Sequence, residues 1–512
     1  MESCAVASAW PNAGSTAGQR PPTCKVDSMN PQPQSPSGAV TVPPDHTMPL
    51  DHTLFSCSDL RFDASTGEVA LAYVLSGGSG APIAFTERLL FPTPPHEPSE
   101  PRREAFSAVL RMLHAVAGVS YFKTAAPPTI DLGAARFTAA ELEYLRGVYL
   151  HGMREFAYQN DLPSVLETRF ETAGAEPVIV YDAAETASAS GHPDASWYSP
   201  DARPLIPCGG GKDSIVSTEA MIRSGRDPVA FAVNPNHIID SVVRTSGLEM
   251  LKVTRRLDPQ LFRLNRLGAY NGHVPVTAVN SLIALGCAIL HGLGPVVMSN
   301  ESSASSPNLQ WRGEPVNHQW SKSAEAEQAL QAALRSRLGV TGLYFSLLRH
   351  LNEMQIAQLF CRTTAYDDVL TSCNNAYTID RPATQRWCGN CPKCRFVFLA
   401  LAPFAGVERM VRIFGANLLL DEAQLPGYRA LLGIGSVKPF ECVGEIEESQ
   451  AAVVRLAELA PWREAPVVRR LRAEITAPLP PWSDVLTRRG PSYAPDGYLQ
   501  SLDSLAGVPA SS

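Results

Sequence analysis

The sequence predicts an α/β protein in which an open, mostly parallel sheet flanked by helices follows an α+β region and carries a cysteine-rich metal knuckle. Three observations carry that prediction. From residue 203 onward, strand-like apolar runs alternate with helical periodicity, the pattern of parallel βαβ units. A glycine-rich stretch, CGGGKDS at 208–214, stands between such a strand and such a helix, where open α/β sheets bind ligands. Four cysteines gather within 373–394, three of them at two-residue gaps, which suits a metal in a reducing compartment better than disulfides.

Residues 1–48 are rich in Pro, Ser, Ala and Gly with almost no aliphatic run, so a disordered extension is expected there, with Met29 and Met48 as alternative starts. Residues 49–200 read as an α+β N-terminal domain, with a hairpin from 67–75 and 84–91 and helical periodicity over 103–117 and 139–156. The α/β domain is expected over 201–372. Its strands are 204–207, 229–233, 249–254 and 295–298, and its helix at 274–291 is apolar on nearly every side, hence buried. A helix at about 342–361 precedes the knuckle at 373–400. Helical pieces follow over 401–478, and the Pro- and Ser-rich 479–512 reads as a loose tail.

Hydrophobic residues at 45% and charged residues at 18% give ample core and exclude global disorder. Forty-three basic against 50 acidic side chains leave a net charge of −7, which offers no basic footprint for nucleic acid. No window approaches 18 uninterrupted apolar residues, and MESCAVASAWPNAG lacks the cationic and apolar regions of a signal peptide. A cytoplasmic protein with neither a membrane nor a nucleic-acid partner is expected.

Gly209, Gly210 and Gly211 let backbone approach a phosphate closely, the helix start offers free N–H groups and a positive dipole end, and Lys212 adds a point charge. The P-loop pattern G-x-x-x-x-G-K-[ST] fails here, because Ile206 stands five before Gly211 and Asp213 follows the lysine. A glycine turn capped by Asp213 is the plain alternative. The stretch resembles the S-G-G-x-D-S loop of the N-type ATP pyrophosphatases, the PP-loop proteins with an adenine nucleotide alpha hydrolase-like fold, which split ATP into AMP and diphosphate. That resemblance implies that Asp213 and Ser214 hold Mg²⁺ and diphosphate oxygens, with Val233 and Asn234 near adenosine. Gly209 replaces the family's first serine, so backbone N–H groups would substitute for one hydroxyl.

Cys373, Cys388, Cys391 and Cys394 supply four thiolates for a closed tetrahedral Zn²⁺ site; an iron–sulfur cluster is the rival occupant. Their arrangement resembles the zinc knuckle of 7-deazaguanine nitrile synthases.

Three polar stretches are hard to explain as packing: NGHVPVT at 271–277, the run from SNESSAS at 299–305 on to Asn308, and VNHQWSKS at 316–323. Together with FECVGE at 440–445, and in this order with the glycine loop and CGNCPKC, they resemble the MurL family of UDP-muramoyl-dipeptide epimerases over about residues 50–475. The resemblance implies a substrate, UDP-MurNAc-L-Ala-L-Glu, whose terminal L-Glu becomes D-Glu while ATP yields AMP and diphosphate. It also implies Mg²⁺ and a separate ligase that adds the L-glutamate. Chemistry explains the ATP: a carboxylate is a poor electron sink, and its adenylate can stabilise the enolate left by α-proton removal.

Inversion needs groups on both faces of the carbon, or one that reaches both. His273 and His318 are the leading candidates, with Cys442 and Glu445 in reserve. Asn271, Asn300, Glu301, Asn317, Lys322 and Arg244 are candidate substrate contacts, and Arg255 a further cation. Two other classes stay open: an AMP-forming synthase or ligase acting on a small carboxylate such as a 7-deazaguanine precursor, and a non-catalytic nucleotide-binding zinc protein.

Overall fold

Strict alternation of buried and part-exposed residues builds the first strands: in β2 (Glu68–Ser76) every second side chain is buried, and β3 (Ile83–Leu90) repeats the pattern. In the computed structural model the described residues are 50–173, 195–377, 385–435, 438–487 and 489–506. The expected extension 1–48 lies outside them.

β2 and β3 form the expected antiparallel hairpin, and β1 (Leu54–Asp63), an unexpected strand, pairs antiparallel with β2. β4 (Thr129–Asp131) and β5 (Arg169–Glu171) continue that edge in parallel. The α/β region supplies β6 (Leu205–Pro207), β7 (Val229–Val233), β8 (Met250–Arg256) and β9 (Val296–Met298). A separate small hairpin, β10 (Leu309–Trp311) with β11 (Glu314–Val316), precedes β12 (Tyr344–Ser346).

All but that hairpin join one ten-stranded sheet, ordered β12-β9-β6-β7-β8-β3-β2-β1-β4-β5. The boundary expected at 200/201 therefore does not divide it. β3 pairs antiparallel with β8 through Arg88–Arg256, Leu89–Arg255 and Leu90–Thr254. Strands β12, β9, β6, β7 and β8 run parallel. The chain moves outward from β6 through β7 to β8, then returns to place β9 and β12 on the other side of β6. This reversal is a topological switch point, and the crevice beyond the carboxyl ends of β6 and β9 is where such sheets take ligands.

Two helical layers cover the sheet. The helix Val276–His291 is buried on nearly every side, as expected, and packs on Glu100–Ala117. The stretch Glu100–Phe122 is long and apolar enough to cross a membrane, but 89% of its most apolar window is buried in the fold. On the other side lie Lys212–Arg223, Glu353–Phe360 and the C-terminal helices.

Three expectations are corrected. The helix expected over 139–156 is two helices, Ala139–Arg146 and Arg154–Asn160, separated by a wide turn at Gly147–His151 that the Gly152 N–H closes onto the Gly147 carbonyl at 3.0 Å. The helix expected at 342–361 is β12 followed by the helix Glu353–Phe360, because the apolar Tyr344–Ser346 is short enough to be a buried strand. The tail expected to be loose contains the helices Trp482–Thr487 and Asp496–Ala506; the second buries Tyr498, Leu502 and Leu505 and packs on Lys212–Arg223.

Candidate active site

Local geometry at the switch point begins with the glycine loop. Gly210 has φ +78°, and a Cβ there would meet the Tyr377 hydroxyl at 2.7 Å. A Cβ on Gly211 would meet Ser372 Oγ at 2.6 Å and displace that hydroxyl, while the left-handed backbone at 210 requires glycine there. The helix Lys212–Arg223 starts directly after the loop. The segment 371–377 braces it: the Thr371 N–H donates to Gly210 O at 3.0 Å and the Tyr377 hydroxyl to Gly209 O at 2.8 Å. Ser372 thus brings a hydroxyl beside a loop whose first position lacks one.

Lys212 is buried and ion-paired with Asp213 at 2.5 Å and with the buried Glu353. Burial opposes its ammonium, but those two carboxylates hold its pKa above the usual lysine value. Burial pushes the Glu353 carboxyl up despite Lys212.

These residues line a pocket of about 1470 Å³ of empty space, its open mouth included. Gly209, Gly211, Lys212, Asp213, Ser214 and Val233 form one wall; Asn300 and Glu301, leaving β9, and Gln319, Lys322 and Cys442 form another. Buried Arg349 fixes the second wall. Its Nε meets Glu327 at 2.8 Å, and its other nitrogens donate to the carbonyls of Glu301 at 2.7 Å and Lys322 at 2.5 Å. Lys322 Nζ is 3.1 Å from Cys442 Sγ.

Behind Lys322 and Cys442, His273 and His318 come together with ring centroids 4.5 Å apart. Between them lies Glu155, whose Oε2 is 2.5 Å from His318 Nδ1 and 3.7 Å from His273 Nδ1. Burial first, and the neighbouring His318 second, push the His273 imidazole down to about 4, against the opposing pull of Glu155 and Cys442. For Glu155, burial acts upward, but His318 and His273 bring the carboxyl below its ordinary value. Beside them, burial lifts Glu441 to about 7, and its Oε2 is buried without a hydrogen-bond partner.

Four candidates stand elsewhere. Arg244 is exposed in the last turn of His237–Ser246, a helix that runs away from the carboxyl ends of the strands. Arg255 is buried and paired with Glu87 at 2.7 Å. Glu445 caps the helix Ile446–Glu458 and accepts from Ser306 at 2.5 Å. Asn271 accepts from Lys123 at 2.5 Å. Asn234 and Asn317 serve the backbone: Asn234 (φ +45°) pairs with the Arg255 N–H and carbonyl, and Asn317 bridges Ala304 O and the Gln319 N–H. The sequence was silent on Glu155, Glu353, Ser372 and Tyr377, since single polar residues far apart in the chain carry no pattern. Gln319 and Asn374 also line the pocket, each with a buried amide atom that lacks a partner.

Cys373, Cys388, Cys391 and Cys394 converge with Sγ separations of 3.5 Å (391–394), 3.8 Å (388–394) and 3.9 Å (373–391). A tetrahedron with metal–sulfur arms of about 2.3 Å has edges of about 3.8 Å, so this set fits a Zn²⁺-sized centre. Cys373 lies in the segment that braces the glycine loop.

The MurL N-terminal domain family matches residues 47–347, and the MurL C-terminal domain family matches 369–484. A protein of Micromonospora sp. named UDP-N-acetyl-alpha-D-muramoyl-L-alanyl-L-glutamate epimerase is 51% identical over 88% of this chain and 97% of its own. Proteins of the same name from Salinispora tropica and Xanthomonas oryzae pv. oryzae are 50% and 42% identical, over 88% and 82% of this chain and 96% and 89% of theirs. No solved structure matches.

Proposed function

The chain belongs to the MurL family, and from that premise we propose that it is an ATP-dependent epimerase converting the terminal L-Glu of UDP-MurNAc-L-Ala-L-Glu to D-Glu through a carboxyl-adenylate. The observation that carries this reading is that one pocket is walled by both the glycine loop and the Lys322–Cys442 pair, with the histidines directly behind. A nucleotide site alone would serve any AMP-forming enzyme; a dense acid–base cluster beside it is what epimerisation adds.

In this proposal the 209–214 loop, in a PP-loop role, cradles the phosphates with backbone N–H groups and the Lys212 ammonium. Bound Mg²⁺ would supply charge neutralisation for the departing diphosphate and would be held by Asp213. Zn²⁺ would be held by the four cysteines and is structural, since they leave no open coordination position. Asn300, Glu301, Gln319 and Lys322 face the substrate. His273 or His318, together with Cys442, removes and returns the α-proton. Hydrolysis of the mixed anhydride returns the acid. A cytoplasmic location and an upstream L-glutamate-adding ligase follow from the substrate.

The test is incubation with UDP-MurNAc-L-Ala-L-Glu, ATP and Mg²⁺ in D₂O, then resolution of glutamate by chirality and mass. Deuterated D-glutamate with stoichiometric AMP is expected. AMP without deuterium or D-glutamate would transfer the activated carboxylate to a synthase or ligase reaction, and no AMP would leave a binding protein.

A further inference from the structure

Resting on the epimerase proposal, we infer that Glu155 is a positioning residue that couples His273 and His318 into one proton-relay pair. Its Oε2 faces the Nδ1 atoms of both imidazoles, at 2.5 Å from His318 and 3.7 Å from His273, and all three side chains are at least nine-tenths buried. A carboxylate that accepts from Nδ1–H fixes the tautomer, leaving Nε2 bare as the base and offsetting the charge of the imidazolium that forms. His273 Nδ1 is buried without a hydrogen-bond partner, so the carboxylate can take a bond from either ring as protonation moves between them.

The same three residues offer ligand atoms within 4.8 Å of one another, which raises a metal as the alternative. The distances argue against it. Ligands on arms of about 2.0–2.1 Å stand about 3.3 Å apart in a tetrahedron. Here one separation is 2.5 Å, a hydrogen bond, and another is 3.7 Å. The cysteine set of the same molecule, by contrast, has the spacing of a metal shell. Position along the chain adds support. Glu155 is delivered by the helix Arg154–Asn160, set off by the wide turn at Gly147–His151, and such one-turn irregularities recur at functional sites.

The step balances. The α-carbon–hydrogen bond breaks, its electron pair moves into the activated carboxyl group and its proton goes to an imidazole Nε2. The Cys442 thiol returns one proton to the α-carbon. Glu155 gains only a shifted hydrogen bond, and solvent restores the thiol and the imidazole.

The experiment uses the full chain with UDP-MurNAc-L-Ala-L-Glu, ATP and Mg²⁺, reading two rates: diphosphate–ATP exchange, which reports adenylation, and deuterium entry at the glutamate α-carbon. Glu155→Gln is expected to keep exchange within about twofold and to lose about 10²-fold or more in deuterium entry. Glu155→Asp, which keeps the charge but retracts it, should fall between and covers the case in which the glutamine variant does not fold. Equal loss of both rates in both variants, or undiminished deuterium entry in either, overturns the inference. So does a second metal equivalent in the wild type that disappears in Glu155→Gln. Absence of deuterium entry in the wild type would instead overturn the epimerase proposal, and the inference with it.

Discussion

At one end of the pocket the chemistry comes from the consecutive residues 209–214, on a strand-to-helix turn; at the other it comes from Lys322 and Cys442, with Glu155, His273 and His318 behind them, all carried by separate elements. The first end works through backbone N–H groups and a helix start, a pattern that a short sequence carries and that 371–377 and Glu353 brace from a distance. The second exists only when helices, the β10–β11 region and the C-terminal segment have all docked. The glycine-loop end should therefore register distant changes only through 371–377 and Glu353, and the acid–base end should register changes in every element that carries it.

The sharpest way to break the comparison is a pair of substitutions. Asp213→Asn should lower both diphosphate exchange and deuterium entry on the order of 10³-fold, by removing charge at the nucleotide. Cys442→Ala should cost about 10²- to 10⁴-fold in D-glutamate formation alone, leaving diphosphate exchange near wild type. If Cys442→Ala lost exchange equally, the two ends would be one site. Next in size, Arg349→Met strands Glu327 as a buried charge and releases the Glu301 and Lys322 carbonyls, a loss of about 3–5 kcal/mol readable as a lower urea midpoint.

Smaller, and confined to the nucleotide end, is Ser372→Ala. A hydroxyl bound to a charged phosphate contributes about 1.5–3 kcal/mol, so KM for ATP should rise about tenfold or more, while KM for the muramoyl dipeptide holds. The smallest effect belongs to Glu441→Gln. Burial raises Glu441 to about 7 in the fold, above its unfolded value, so the stability that its protonated form contributes is present below about pH 4.5 and is lost as pH rises through 7. The variant should match wild type at pH 5 and exceed it by about 1–3 kcal/mol at pH 8 in chemical denaturation. Equal stabilities at both pH values would show that Glu441 is well solvated when ionised.

How much was legible follows the same division. The β2–β3 hairpin, the parallel strands, the buried helix Val276–His291, the glycine turn and the four cysteines are local patterns, and the structure contains each of them. His273 and His318 were singled out for polarity without a packing excuse, and they do meet. Glu155 was hidden because it lies in what reads as uninterrupted helical periodicity, and the turn that re-aims it changes no residue type. Arg244 and Arg255 looked like free cations because sequence does not reveal which end of a helix a side chain occupies or that Glu87 waits across the sheet. β1 and β12 were missed as a long strand beside a clear hairpin and as three residues inside an apolar stretch.

The β3–β8 pairing carries a consequence for dissection of the gene. A fragment starting near residue 201 would expose the β8 edge as a row of unsatisfied amides and carbonyls and strip Arg255 of Glu87, while the complementary fragment would expose the β3 edge. Each half expressed alone is an aggregation hazard, whereas the two expressed together carry matching edges and the register to rejoin, so split-protein complementation is a natural assay for this fold.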